Sequence, residues 1–137
     1  MAKEMGIGKA ARAARCSVPT LRYYEQIGLL NPANRTASGH RTYQRSDVDR
    51  AILIRRCRDF GMPIKEVAAL IDVMVSPGEC DNALALINAH RSALRARISE
   101  LKALERALAI MAERCEDNCL GGSVDCCTIF DDLAGPD

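Results

Sequence analysis

From Asp81 to Arg114 the chain runs 34 residues without a glycine or a proline. Ile87, Leu94, Leu101 and Leu108 recur at every seventh position, and the companion series Leu84, Arg91, Ile98, Glu105 and Ala112 is partly apolar. That is a coiled-coil seam sustained over about four heptads. A helix of this length spans about 50 Å at 1.5 Å per residue, whereas a 100-residue domain has a radius of only ~13 Å. The stripe must therefore be covered by a partner, and the economical partner is a second copy of the same chain. A homodimer is expected. Hydrophobic residues make up 48% of the 137, but aromatics only 4%, and Trp is absent. An aliphatic supply drawn from Ala, Leu and Ile favours a mainly α fold.

Immediately beyond this helix lies RCEDNCLGGSVDCCTIF, residues 114 to 130, with Cys115, Cys119, Cys126 and Cys127. A further thiol, Cys80, stands just before the helix, 35 positions ahead of Cys115. No apolar run approaches the ~20 residues that cross a bilayer. The N-terminal stretch MAKEMGIGKAARAARC lacks the continuous apolar segment of a secretory signal. The expectation is a cytoplasmic protein without membrane contact, in which thiols stay reduced. Seven cysteines there point to metal or redox chemistry more than to a disulfide framework. An intact helix holds Cys80 and Cys115 of one chain about 50 Å apart, so they cannot share a ligand within it. Cys16 and Cys57 lie in helical stretches away from the loop and read as small buried hydrophobes. No Ser/His/Asp or paired-carboxylate constellation emerges, so an enzyme is not expected.

Charge divides the chain. Residues 1–60 hold 12 Lys/Arg against 5 Asp/Glu, and residues 61–137 hold 7 against 13, which recovers the net +1. A basic half joined to an acidic half suggests a polyanion-binding module coupled to something with another task. In the basic half, Ile7, Ala10, Ala11 and Ala14 share one helical face. Ser17 reads as an N-cap with Pro19 in the next helix's first turn. That helix runs through Leu21, Tyr24 and Ile27, with Leu21 and Ile27 packing inward, and stops at Gly28, which makes a helix-turn-helix. NPANRTASGHRTYQ has the Pro, Gly and Asn of a loop or small β-wing. Its Arg35, Arg41 and Tyr43 are donors suited to phosphate oxygens. SDVDRAILIRRCRDFGMPIKEVAALIDV reads as a second helix pair. Ser46 and Asp49 are expected to form a capping box, Gly61 to end the first helix and Pro63 to start the second.

Taken together, LRYYEQIGLL, NRTASGHRTY and RCRDFGMPIKEVAALI resemble the winged-helix DNA-binding domain of the MerR family of transcriptional regulators, and the likeness extends from about Ile7 to about Leu133. The resemblance implies a winged helix-turn-helix domain over residues 1–75, an antiparallel dimerisation helix over 76–114, and a metal-binding loop with a short tail over 115–137. It places Ser17, Thr20, Arg22, Tyr23 and Tyr24 on the recognition helix and its entry, with Arg22 and Tyr24 foremost as DNA contacts. Arg35, Arg41 and Tyr43 fall at wing positions that grip the backbone. Promoter DNA and RNA polymerase are the implied partners.

The antiparallel arrangement brings Cys80 of one subunit to the loop of the other, so the implied metal ligands are Cys80 with Cys115 and Cys126. Cys119, Cys127 and His90 form a second tier, His90 being read first as a coil-surface residue. Thiolates select soft or borderline ions, and the implied inducer is cadmium, lead, mercury or zinc. In this family copper(I) sensors lack the helix-start cysteine, so Cys80 argues against that alternative. An iron–sulfur cluster or a disulfide at the same cysteines is the redox alternative. The spacing C-x3-C-x6-C-C lacks the C-x2-C-x-C core of the family's iron–sulfur branch. The loop is longer than in simple triads, and Cys119 and Cys127 are additional.

Overall fold

The computed structural model describes residues 3–135, and the chain divides into two compact units, Met1–Ile87 and Asn88–Asp137. In the first, strand β1 (Met5–Gly6) leads into α1 (Ile7–Ala14) and α2 (Val18–Gln26). A wing formed by β2 (Asn34–Arg35) and β3 (Arg41–Tyr43) follows, then α3 (Arg45–Asp59) and α4 (Ile64–Val75). The strands form one antiparallel sheet in the order β1-β3-β2, with Met5 opposite Tyr43 and Asn34 opposite Thr42. β1 has no signal in the hydrophobic pattern, because two residues are too few to show a period.

Small residues set the packing. Ala10, Ala11 and Ala14 are fully buried and let α1 lie close to α3, whose Val48, Ala51 and Ile54 face them in the core. Leu21, Leu29, Leu30, Met62, Val67 and Ile71 complete it. The helix ends are closed locally. Ser17 Oγ accepts the Thr20 N–H at 3.1 Å, with Pro19 in the first turn. Gly28 and Gly61 take the left-handed conformation that ends α2 and α3, where a side chain would be strained. Arg55 Nε donates to the Ala14 carbonyl at 3.1 Å and Arg58 Nη1 to the Met62 carbonyl at 2.8 Å, so two arginines of α3 tie down neighbouring chain ends.

Two local expectations are corrected. The capping box of α3 lies earlier than Ser46 and Asp49: Gln44 is the N-cap, and its N–H donates to the Asp47 carboxylate at 2.8 Å. The chain leaves β3 already extended at Gln44, so the helix begins as soon as the strand ends. Ile27 is exposed rather than packed, since it caps α2 at the point where the chain turns out through Gly28. Cys57 is buried and Cys16 half-buried. Burial pushes both thiols up from their ordinary range, which suits them to packing rather than to reactivity.

Helix α5 (Asp81–Asn118) is 38 residues long. Leu84, Ile87, Leu94, Ile98, Leu101 and Leu108 stand exposed along it in the isolated chain. His90 is the exception: at 8% exposure it is the buried residue of α5, not the surface residue expected. The second unit closes with a 3-10 turn at Val124–Cys126 and the short helix α6 (Thr128–Ala134). No described helix is long and apolar enough to cross a membrane.

Tyr43, 1% exposed, donates its phenol O–H to Glu25 Oε2 at 3.2 Å. Desolvation, then the Glu25 charge and hydrogen bond, push its pKa up from 10.0 to about 12. Because the neutral phenol is favoured in the fold, its contribution is complete below about pH 10 and is lost as pH rises towards 12. Tyr43→Phe should cost about 1 kcal/mol near neutrality and remove that alkaline component. Denaturant melts of both proteins between neutral pH and pH 12 would show it.

Candidate nucleic-acid and metal sites

In the first unit, α2 and the wing meet around Glu25. Its Oε2 accepts from Tyr43 and lies 3.4 Å from Arg41 Nε, so one carboxylate of α2 holds two side chains of β3. The wing turn is braced by Arg35, whose Nη1 donates to the Gly39 carbonyl at 2.8 Å. Gly39 adopts a positive φ, and Ser38 Oγ lies 2.9 Å from His40 Nδ1. Arg22, Arg35, His40 and Arg41 line a cleft of about 480 Å³ with Gly6, Ile7 and Gly8. Three guanidinium groups around a groove with exposed backbone form a surface suited to phosphate.

The residues expected at DNA separate by exposure. Arg22 and Arg35 are exposed and Arg41 half-buried. Tyr23, at 48%, presents its ring to solvent, whereas Tyr24, at 6%, is in the core. Tyr24 and Tyr43 therefore offer packing and a hydrogen bond to Glu25 rather than a free face, and the exposed phenol of the pair on α2 is Tyr23. Helical spacing accounts for this: Tyr24 lies three residues after Leu21, on the buried stripe. Ser17 and Thr20 are joined by their hydroxyls at 2.7 Å, and Ser17 is already engaged as the cap of α2. Glu25 was not singled out in the sequence, although its place directly after the two tyrosines puts it one turn from Leu21 and next to the wing.

The second unit gathers thiols. α5 continues one turn beyond Arg114, so Cys115 lies within the helix rather than after it. The Cys119 N–H still donates to the Cys115 carbonyl at 2.9 Å, and the two sulfurs stack on one face 3.6 Å apart. The chain then reverses at Gly121, with a positive φ, and Gly122, where an added Cβ would lie 3.1 Å from the Cys119 carbonyl oxygen. Cys127 returns as the N-cap of α6. An ion pair between Arg114 and Asp132 fastens α6 to the end of α5. The sulfurs of Cys115, Cys119 and Cys127 all lie within 4.8 Å of one another.

Cys115 and Cys119 are not equivalent. The Thr128 backbone N–H, followed by the Cys115 side chain, lowers the pKa of Cys119. Cys115, bonded to Cys119, is pushed up to about 11. Of these two, Cys119 is the readier to ionise, and Cys115 S–H then donates to its thiolate. Cys126 is exposed and outside this group, and Cys80 is exposed ahead of α5 in the first unit. His90 is not in the group either. Spacing could have revealed Cys119: once α5 is carried to Asn118, positions 115 and 119 are i and i+4 on one face. Three soft donors fit a soft or borderline ion and exclude calcium and magnesium.

Residues 5–73 match the model of MerR HTH family regulatory proteins, and residues 48–111 match the MerR DNA-binding model. The HTH-type transcriptional regulator HmrR of Sinorhizobium medicae is 34% identical over 131 residues, covering 95% of this chain and 86% of that protein. The structure of the transcription regulator PbrR691 from Ralstonia metallidurans CH34 in complex with lead(II) superposes with a TM-score of 0.82 at 34% identity, over 95% of this chain and 99% of that one. MerR from Bacillus megaterium MB1 in complex with mercury(II) gives 0.72 at 25% identity, over 92% and 95%. A family model spanning half of the chain, relatives at this identity and the winged helix-turn-helix itself lead to one assignment: the chain belongs to the MerR family of helix-turn-helix transcriptional regulators.

Proposed function

We propose that this regulator, which is not an enzyme, responds to a thiophilic divalent ion (cadmium, lead, mercury or zinc) by activating transcription in the cytoplasm. The observation that carries the reading is the convergence of three thiols in a chain whose other unit is a winged helix-turn-helix. The lead and mercury complexes of its structural relatives point the same way. The exposed apolar row on α5 supports a homodimer, which covers that row and brings two winged domains to the half-sites of a palindromic promoter. Arg22 and Tyr23 on α2, with Ser17 and Thr20 at its entry, approach the groove, and Arg35 and Arg41 hold the phosphate backbone.

Cys80 of the partner subunit, with Cys115 and the thiols gathered beside it, Cys119 and Cys127, provides the thiolates that couple ion binding to dimer geometry. The dimer then distorts the DNA between half-sites so that RNA polymerase can use the promoter, deformation energy acting as the switch. The leverage is bounded by the difference in ion affinity between the two states.

Two substitutions separate the functions. Arg22→Ala should weaken operator binding roughly tenfold to a hundredfold, equivalent to about 1–3 kcal/mol, at every ion concentration and without loss of ion binding. Gel-shift and ion titrations on the same preparation check both halves. Cys80→Ser should retain operator binding and lose reporter induction by cadmium, lead, mercury and zinc alike. Unchanged induction would remove the partner thiol from the mechanism.

A further inference from the structure

Helices α1, α2 and α3 end in the same pair of backbone bonds. At the end of α2, Leu29 N–H donates to the Tyr24 carbonyl at 2.9 Å and Gly28 N–H to the Glu25 carbonyl at 3.2 Å. At the end of α3, Met62 donates to Cys57 at 3.1 Å and Gly61 to Arg58 at 2.9 Å. At the end of α1, Cys16 donates to Ala11 at 3.0 Å and Arg15 to Arg12 at 3.1 Å. This closure needs a left-handed residue at its centre, which is the place of a glycine. Gly28 and Gly61 fill it for α2 and α3, at φ 81° and 77°. Arg15 fills it for α1 at φ 54°, the one described non-glycine residue with a positive φ. An outlier of this kind points to a use for the side chain.

Contacts within the described chain do not supply that use. Arg15 is exposed, and among the described residues its guanidinium has no hydrogen-bond or ion-pair partner. The Ala14 carbonyl at the end of α1 is already held by Arg55 Nε. Arg12 already lies in the last turn, where the helix dipole favours a cation. The surroundings are those of a polyanion site. No acidic residue falls between Glu4 and Glu25, and Lys9, Arg12 and Arg15 stand exposed at intervals of three. Arg15 is two residues ahead of Ser17, the N-cap of α2. In a helix-turn-helix the second helix enters the major groove by its N-terminal residues while the first crosses the backbone, so the turn between them lies beside phosphates. From Ile7, which lines the wing cleft, α1 carries the chain about 12 Å to Arg15, which matches the ~12 Å width of the groove. The two ends of α1 therefore suit opposite phosphate strands.

We propose that Arg15 is a DNA-backbone contact of the turn between α1 and α2, holding a phosphate on the strand across the groove from the wing, and that α1 keeps a strained end for it. The inference rests on the placement of α2 in the groove and deepens it with a contact that positions the protein but carries no sequence information.

The test measures binding of the full-length protein to operator and to unrelated DNA across a salt series, with urea melts of the same preparations. Arg15→Gly should unfold at an equal or higher urea concentration, because glycine takes a positive φ without strain, and yet bind DNA less well. The loss should be on the order of tenfold per half-site near 0.1 M salt, and equal for operator and unrelated DNA. The slope of log affinity against log salt should fall by roughly 0.9 per half-site. Arg15→Lys should recover most of the affinity, since the charge remains while the backbone stays strained. Arg22→Ala, by contrast, should lose operator more than unrelated DNA. Parent affinity and slope in Arg15→Gly alone overturn the proposal and leave the placement of α2 standing. If Arg22→Ala also binds like the parent, both fall together. A loss that comes with a lower urea midpoint and is not recovered by lysine assigns Arg15 to the fold and likewise overturns the proposal.

Discussion

A helix stops only where something stops it, and between Asp81 and Asn118 no glycine or proline does. Each residue there adds a backbone hydrogen bond without a glycine or proline to interrupt the ladder. α5 therefore carries through Arg114 and takes Cys115 with it. That extra turn sets the register of Cys119 above Cys115, and the Gly121–Gly122 reversal then decides which later thiol can return. The same persistence leaves Leu94, Leu101 and Leu108 on a helix too long for one chain to cover. The register of Cys115 and Cys119 and the exposed apolar row on α5 thus follow from a single absence in the sequence.

In the other unit the organising contact is a single carboxylate. Glu25 accepts the Tyr43 phenol and faces Arg41, so the orientation of β3 relative to α2 is held by charge and hydrogen bonding at once. The carboxylate also offsets part of the positive charge gathered around the cleft, while Arg22 and Arg35 keep theirs exposed to solvent. A wing held this way presents its guanidinium groups with little freedom to lose, and preorganisation of that kind lowers the cost of association.

Much of this was legible in the residues. Periodicity found α5, Ser17 and Pro19 found the start of α2, and Gly28, Gly61 and Pro63 found the turns, because each of those signals is local. Tyr23 and Tyr24 were harder. Adjacent tyrosines are alike in composition, and only the position of the core decides which is exposed. The thiol set was harder still, since no periodic residue marks α5 as continuing past Arg114, and the i, i+4 relation of Cys115 and Cys119 exists only if it does. Whether Cys126 or Cys127 turns inward depends on a short 3-10 turn and on the Arg114–Asp132 pair, neither of which leaves a periodic trace.

The thiol cluster sets a limit on where a switch can lie. An ion held with equal affinity in the resting and activating states shifts nothing between them, however tightly it is bound. Cys115, Cys119 and Cys127 come together within one protomer, so ligands drawn from them alone are indifferent to where a partner lies. The cross-subunit thiol of the proposed mechanism, Cys80 of the partner subunit, would act differently, because it is available only in those arrangements that bring the two chains' thiols together. An ion that changes dimer geometry must therefore draw at least one ligand whose position differs between the two states.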